Sequence, residues 1–141
     1  MPPYEAENDL NAERKRSILV VDDEPDIVIT LRTVLERNNF TVDAYTEPQQ
    51  AIKSFKPGVY NLLILDIKMP QMNGFELYKE LRKIDEKIKV CFLTALSELH
   101  DYDAFKGEVF PKSGQRYYVQ KPIENDEILD RINEILDSSQ V

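Results

Sequence analysis

The feature that most constrains this chain is an alternation: short apolar runs recur between stretches with helical spacing. Ile18–Val21 is continuous and rich in β-branched residues, as in a strand buried on both faces. Pro25 then stands where a helix's first turn tolerates proline. Ile27, Leu31, Val34 and Leu35 follow at i, i+4, i+7 and i+8, one face of a helix. Phe40–Tyr45 reads as a second strand, and Pro48–Phe55 as a short helix stopped by Pro57-Gly58. "NLLILDI" is the most apolar segment and reads as a central strand, followed by "KMPQMNG" as a loop. Leu77, Leu81 and Ile84 repeat at helical spacing. "KVCFLTA" is a fourth strand, "RYYVQKP" a fifth, and Ile128, Ile132, Ile135 and Leu136 form a last helical face. Strands alternating with helices specify an α/β fold, a parallel sheet with helices on both sides and right-handed crossovers. Leu96–Gln115 is the least patterned interval. Ser97 is placed to cap a helix running toward Lys106, and "GEVFPKSGQ" reads as loop.

A chain of 141 residues fits one domain with a real core, and 42% apolar content is that of a globular protein. The charge is −8, from 26 acidic and 18 basic residues, which speaks against binding nucleic-acid phosphates. The single cysteine, Cys91, has no internal disulfide partner and suits a reducing compartment. No apolar run approaches a membrane span and no signal peptide is visible, so a cytoplasmic location without membrane attachment is expected. Residues 1–16 read as a flexible tail, 17–137 as the folded domain and 138–141 as a C-terminal tail. No DNA-binding or enzymatic output domain is expected beyond the last helix.

In a doubly wound sheet, ligands bind beyond the C-terminal ends of the strands. Strand one ends in Asp22 and Asp23, strand three in Asp66, strand four in Thr94 and Ala95, and strand five in Lys121-Pro122. The topology thus brings three carboxylates, a hydroxyl and an ammonium to one edge. Taken singly each has a plainer reading: a strand-end Asp is usually a turn residue or cap, Thr94 a strand residue and Lys121 a solvated one. Four strand ends agreeing is what argues for a site. Three adjacent carboxylates need a counter-charge, and a hard divalent cation prefers oxygen ligands. Magnesium suits a site that also receives a phosphoryl group. A carboxylate can attack phosphorus and form an aspartyl-phosphate. Asp66, ending the most central strand, is the natural nucleophile, with Thr94 and Lys121 placed to bind the phosphoryl oxygens. Glu24 and Asp26 are assigned to the start of the helix rather than to the site.

The segments "ILVVDDEPDI", "NLLILDIKMPQMNGFEL", "VCFLTA" and "YYVQKP", in this order and spacing, resemble the receiver domain of two-component response regulators, in particular stand-alone receivers of the chemotaxis type. The resemblance spans residues 17–137. It implies a flavodoxin-like doubly wound sheet of five parallel strands in order 2-1-3-4-5. By the same resemblance Asp66 is the phospho-acceptor. Asp22, Asp23, Asp66 and the backbone carbonyl of Lys68 hold magnesium, with manganese as an alternative. Thr94 is the switch hydroxyl, Lys121 the phosphoryl-binding lysine on a cis bond to Pro122, and Tyr118 an aromatic switch that turns inward on activation. It further implies a partner histidine kinase or phosphotransfer protein, an unknown downstream protein, no nucleic acid, a monomer or weak dimer, and no catalysis beyond the protein's own phosphorylation and dephosphorylation.

The stretch from Thr94 to Lys121 departs from the family pattern. It is longer than usual and lacks the small Ala/Gly-rich helix end, carrying "HDYDAFKGEVFPKSGQ" instead. Lys68 and Leu96 occupy positions that tune dephosphorylation in the family, and the Lys68 side chain is expected to point to solvent. Three other functions compete. A haloacid-dehalogenase-type phosphatase needs a second Asp where Lys68 stands. A flavodoxin-like FMN binder needs a Ser/Thr/Gly-rich loop where "DDEPD" repels phosphate. A pseudo-receiver scaffold has no need of the complete set Asp22, Asp23, Asp66, Thr94 and Lys121.

Overall fold

The computed structural model describes residues 15–110 and 114–138. Most of the expected N-terminal tail, the end of the C-terminal tail and part of the "GEVFPKSGQ" loop lie outside the described residues. Five strands, β1 (Ser17–Val21), β2 (Thr41–Tyr45), β3 (Leu62–Asp66), β4 (Lys89–Thr94) and β5 (Tyr118–Gln120), form one parallel sheet in the order β2-β1-β3-β4-β5. This is the expected order. Five helices connect and flank them: α1 (Pro25–Arg37), α2 (Pro48–Ser54), α3 (Gly74–Ile84), α4 (Leu99–Val109) and α5 (Asn125–Asp137). A short 3₁₀ turn, Leu96–Glu98, precedes α4.

The continuous apolar runs are strands because both their faces are covered. Every residue of β3 is buried, as are Ile18–Val21 of β1. Strand order reverses at β1, so right-handed crossovers place α1 on one side and α2, α3 and α4 on the other. Buried Leu31 and Leu35 of α1 and Ile128, Ile132 and Ile135 of α5 supply apolar faces to the core. On the α3–α4 side the core is aromatic. Phe105 of α4 stacks on Phe75 at 4.4 Å and meets Phe92 of β4 edge-on at 5.6 Å, while Tyr78 packs against Phe92 and Phe110. Such pairs contribute beyond their buried area.

Two expectations are corrected here. Helix α4 runs through Val109, so Gly107–Val109 is helical rather than loop, held by the buried anchors Tyr102 and Phe105. Its entry is the 3₁₀ turn, in which Glu98, not Ser97, makes the capping contact: the Ala95 N–H donates to Glu98 Oε1 at 3.0 Å. Ile84, at the exit of α3, is exposed, while Leu77, Tyr78 and Leu81 carry that helix's buried face.

Candidate functional site

Register puts the chemistry in one place. Val21 pairs with Leu65, so the next residues, Asp22 and Asp66, leave β1 and β3 side by side. Asp66 pairs with Leu93, one residue before Thr94, and Thr94 pairs with Gln120, one residue before Lys121. Four strands therefore deliver Asp22, Asp66, Thr94 and Lys121 to the same edge, at the sheet's topological switch point. Asp23 joins from the β1–α1 turn. Carboxylate oxygens of Asp22, Asp23 and Asp66 all lie within 4.8 Å of one another.

The loop after β3 is closed tightly onto the site. The Gly74 N–H donates to the Ile67 carbonyl at 2.8 Å. A Cβ at residue 74 would stand 2.4 Å from the Asp66 carbonyl oxygen, so only glycine lets α3 begin here. Asn73 caps the helix through a reciprocal capping box with Glu76. Lys121-Pro122 is a cis peptide, as expected.

Lys121 is the hub of the charges. Its Nζ lies 3.1 Å from Asp22 Oδ2, 3.3 Å from Asp66 Oδ1 and 3.0 Å from Glu24 Oε1. Asp22 is fully buried and Asp66 nearly so, whereas Asp23 is the most open of the three acids. Asp22 Oδ1 accepts the Glu24 N–H at 2.9 Å. Asp22 Oδ2 is enclosed without an aligned hydrogen bond, 3.1 Å from the Lys121 ammonium. Burial pushes the Asp66 carboxyl up to about 8, and the Asp22 charge adds to the rise against the pull of Lys121. Burial raises Asp22 too, against the Glu24 N–H and Lys121. For Lys121, burial disfavours the ammonium, but the Glu24 hydrogen bond and the Asp22 and Asp66 charges outweigh it and the pKa is raised. One ammonium thus serves a pair of buried acids that ordinary carboxylate behaviour would leave doubly ionised, a deficit of positive charge that a hard cation fits.

The remaining candidate residues divide. Thr94 is buried and its hydroxyl donates to the Ala95 carbonyl at 2.9 Å. Lys68 lines the same cleft as Asp66, with an exposed side chain and no ion pair among the described residues, as expected. Tyr118 lies apart from the acids, half-buried, edge-on to Tyr102 at 4.6 Å with the Arg116 guanidinium over its ring. Asp26 sits in the first turn of α1, as expected, but Glu24 does more than start that helix. It is the N-cap residue without using its side chain there, which frees the carboxylate for Lys121. Glu98, which also lines the cleft, was not foreseen from the sequence.

Comparison with known proteins agrees with this geometry. The family model of the response regulator receiver domain matches residues 18–133, and the chain belongs to that family. The response regulator SaeR of Staphylococcus aureus is 32% identical over 120 residues, 84% of this chain and 50% of SaeR. The chain therefore spans about half the length of the curated relatives it matches. Among solved structures, the non-phosphorylated HemR receiver domain from Leptospira biflexa superposes with a TM-score of 0.75 at 25% identity, covering 90% of this chain and 98% of that one. A CheY-like receiver domain protein from Methanospirillum hungatei superposes with a TM-score of 0.71 at 26% identity, covering 87% and 94%. A chain described as the adenylate cyclase from Rhodopirellula baltica gives 0.73 at 26% identity, covering 86% and 87%. The class is thus the receiver domain of two-component response regulators. No helix among the described residues is long and apolar enough to cross a membrane.

Proposed function

We propose that Asp66 accepts a phosphoryl group from a histidine kinase or phosphotransfer protein in a magnesium-dependent reaction, and that residues 17–137 are the switching unit. The observation that carries this reading is the Asp66 carboxylate itself. It is almost wholly buried at the end of the central strand, beside two further carboxylates and 3.3 Å from a single ammonium. Asp22, Asp23 and Asp66, with the Lys68 carbonyl, would hold the ion. When bound, magnesium or manganese supplies the positive charge that lets the carboxylates and the phosphoryl oxygens share the cleft.

In the transfer step an Asp66 oxygen attacks phosphorus. The O–P bond forms, the bond from phosphorus to the donor imidazole nitrogen breaks, and the imidazole leaves with the bonding pair. Lys121 exchanges its Asp66 contact for a phosphoryl oxygen, keeping its charge because its pKa is raised. The Thr94 hydroxyl, now spent on the Ala95 carbonyl, turns to the phosphoryl group. Phosphorylation adds charge and acceptor oxygens that exist in one state only, and so biases the β4–α4–β5 unit toward a second packing. Tyr118, on β5 and against Tyr102 of α4, is the residue that carries the change to a downstream protein. Hydrolysis by water restores the Asp66 carboxylate and releases phosphate. The chain's chemistry stops there, acting in the cytoplasm on no external substrate.

Incubation with a small phosphodonor such as acetyl phosphate and magnesium should add one phosphoryl mass to the protein. Equal labelling of Asp66→Asn would overturn the assignment.

A further inference from the structure

Lys121, the Thr94 hydroxyl and the Ala95 N–H are each engaged at rest, and two of the groups engaging them are glutamates outside the acid cluster. Lys121 is held in part by Glu24. The Thr94 hydroxyl is held by the Ala95 carbonyl. The Ala95 N–H is held by Glu98 Oε1 at 3.0 Å. That amide belongs to the residue directly after β4, and Ala95, Glu98, Asp66 and Lys121 line one cleft.

We propose that Glu98 is a built-in competitor of the phosphoryl group. Its carboxylate occupies the Ala95 N–H that a phosphoryl oxygen on Asp66 takes, and must leave before the phosphorylated state is complete. The proposal rests on the reading of Asp66 as phospho-acceptor. A carboxylate is the acceptor that best imitates a phosphoryl oxygen, since both are anionic and both form the shorter, stronger charge-assisted bonds. The two cannot share one N–H, and they repel each other across a half-enclosed cleft. Glu98 has somewhere to go. It also borders the adjoining groove lined by Lys68, Asn73, Phe75 and Asp101, where the exposed Lys68 ammonium offers a new partner. The displacement reaches the rest of the switch by covalent continuity. Glu98 ends the 3₁₀ turn, Leu99 begins α4, and Tyr102 one turn on contacts Tyr118. A carboxylate at residue 98 therefore links filling of the cleft to the start of α4.

The test is a titration of the magnesium-loaded protein with beryllium trifluoride, a phosphoryl mimic, followed by the backbone amide resonances. It compares the wild type with Glu98→Gln, Glu98→Ala and Asp101→Asn. Gln keeps a neutral acceptor on the Ala95 N–H and preserves the helix entry. Neutral bonds are about half as strong as charge-assisted ones, so its midpoint should fall roughly three- to tenfold. Glu98→Ala should bind at least as tightly as Glu98→Gln. Asp101→Asn removes a nearby charge without touching the Ala95 N–H and should match the wild type. A Glu98→Gln midpoint equal to or above the wild type's overturns the inference, as does an equal gain in Asp101→Asn, which would reduce the effect to general charge. A wild type that binds no beryllium trifluoride overturns the phospho-acceptor reading itself, and the inference with it.

Discussion

The ammonium of Lys121 stands between two buried aspartates on different strands, 3.1 Å from Asp22 and 3.3 Å from Asp66. It is the point through which β1, β3 and β5 are electrostatically joined, and its third contact, to Glu24, ties in the start of α1. A single cation serving two buried carboxyl groups is under-supplied, and this imbalance governs how the protein should respond to mutation, to pH and to metal.

Lys121→Ala removes the positive charge facing the Asp22–Asp66 pair. Stranding buried carboxylates costs several kcal/mol when nothing replaces the partner; with Lys121 partly solvated, on the order of 2 kcal/mol is expected. Saturating magnesium should recover most of that loss, because a cation in the acid cluster takes over the role. Urea unfolding of wild type and variant, each with magnesium and with EDTA, checks this. A stability gap that magnesium leaves unchanged would sink the account.

The raised pKa of Asp66 makes metal-free stability pH-dependent in a definite direction. Unfolded, the carboxyl titrates near 3.8; folded, near 8. Between those values the folded state holds a proton that the unfolded state has released, so stability falls as pH rises from about 4 to about 8. Asp22, also raised, contributes with the same sign. Asp66→Asn removes the Asp66 share. The variant should therefore gain stability over wild type as pH rises, with a larger difference at pH 8 than at pH 5 when both are unfolded in EDTA. A constant difference would contradict the raised pKa.

Much of this site was legible because strand ends are legible. Continuous apolar runs such as Ile18–Val21 and Leu62–Leu65 have few other ways to be buried, and the residue after each run must emerge at the sheet edge. Glu24 and Glu98 were hidden by their neighbours. Glu24 sits at a helix start, which suffices to explain an acidic residue, and only the fold brings Lys121 to it from 97 positions away. Glu98 stands three residues after Ala95, a spacing that signals capping only when the capped residue is polar. The last turn of helix α4 escaped because the helix is buried through Tyr102 and Phe105 rather than a repeating aliphatic stripe, and Gly107 and Pro111 punctuate its end as a loop would.

Gly74→Ala tests how closely α3 supports the phospho-acceptor. The added Cβ meets the backbone of Asp66 and Ile67, which is less able to yield than a flexible side chain. Overpacking of this kind costs about 1–3 kcal/mol. Because the obstruction is at Asp66 itself, labelling by acetyl phosphate should drop more than the loss of folded protein accounts for. Thermal unfolding and intact mass, measured on the same sample, separate the two effects; full labelling at lowered stability would show that the Asp66 carboxylate tolerates the shift.

Tyr102→Phe tests whether α4 and β5 move as one body. The Tyr102 hydroxyl accepts the Tyr117 N–H at 2.8 Å, and its ring packs on Tyr118. Removing the oxygen leaves the ring contact intact but takes an acceptor from a buried N–H, at a cost of about 1–3 kcal/mol. The Tyr117 amide should then exchange with solvent far faster than its neighbours in β4. If α4 and β5 are coupled through this bond, the phosphorylation-induced shifts of the β5 amides should shrink in the variant, while labelling of Asp66 stays near the wild-type level. Unaltered β5 shifts would place the coupling in the ring packing of Tyr102 and Tyr118 instead, and a Tyr102→Leu substitution, which removes the ring as well, should then abolish them.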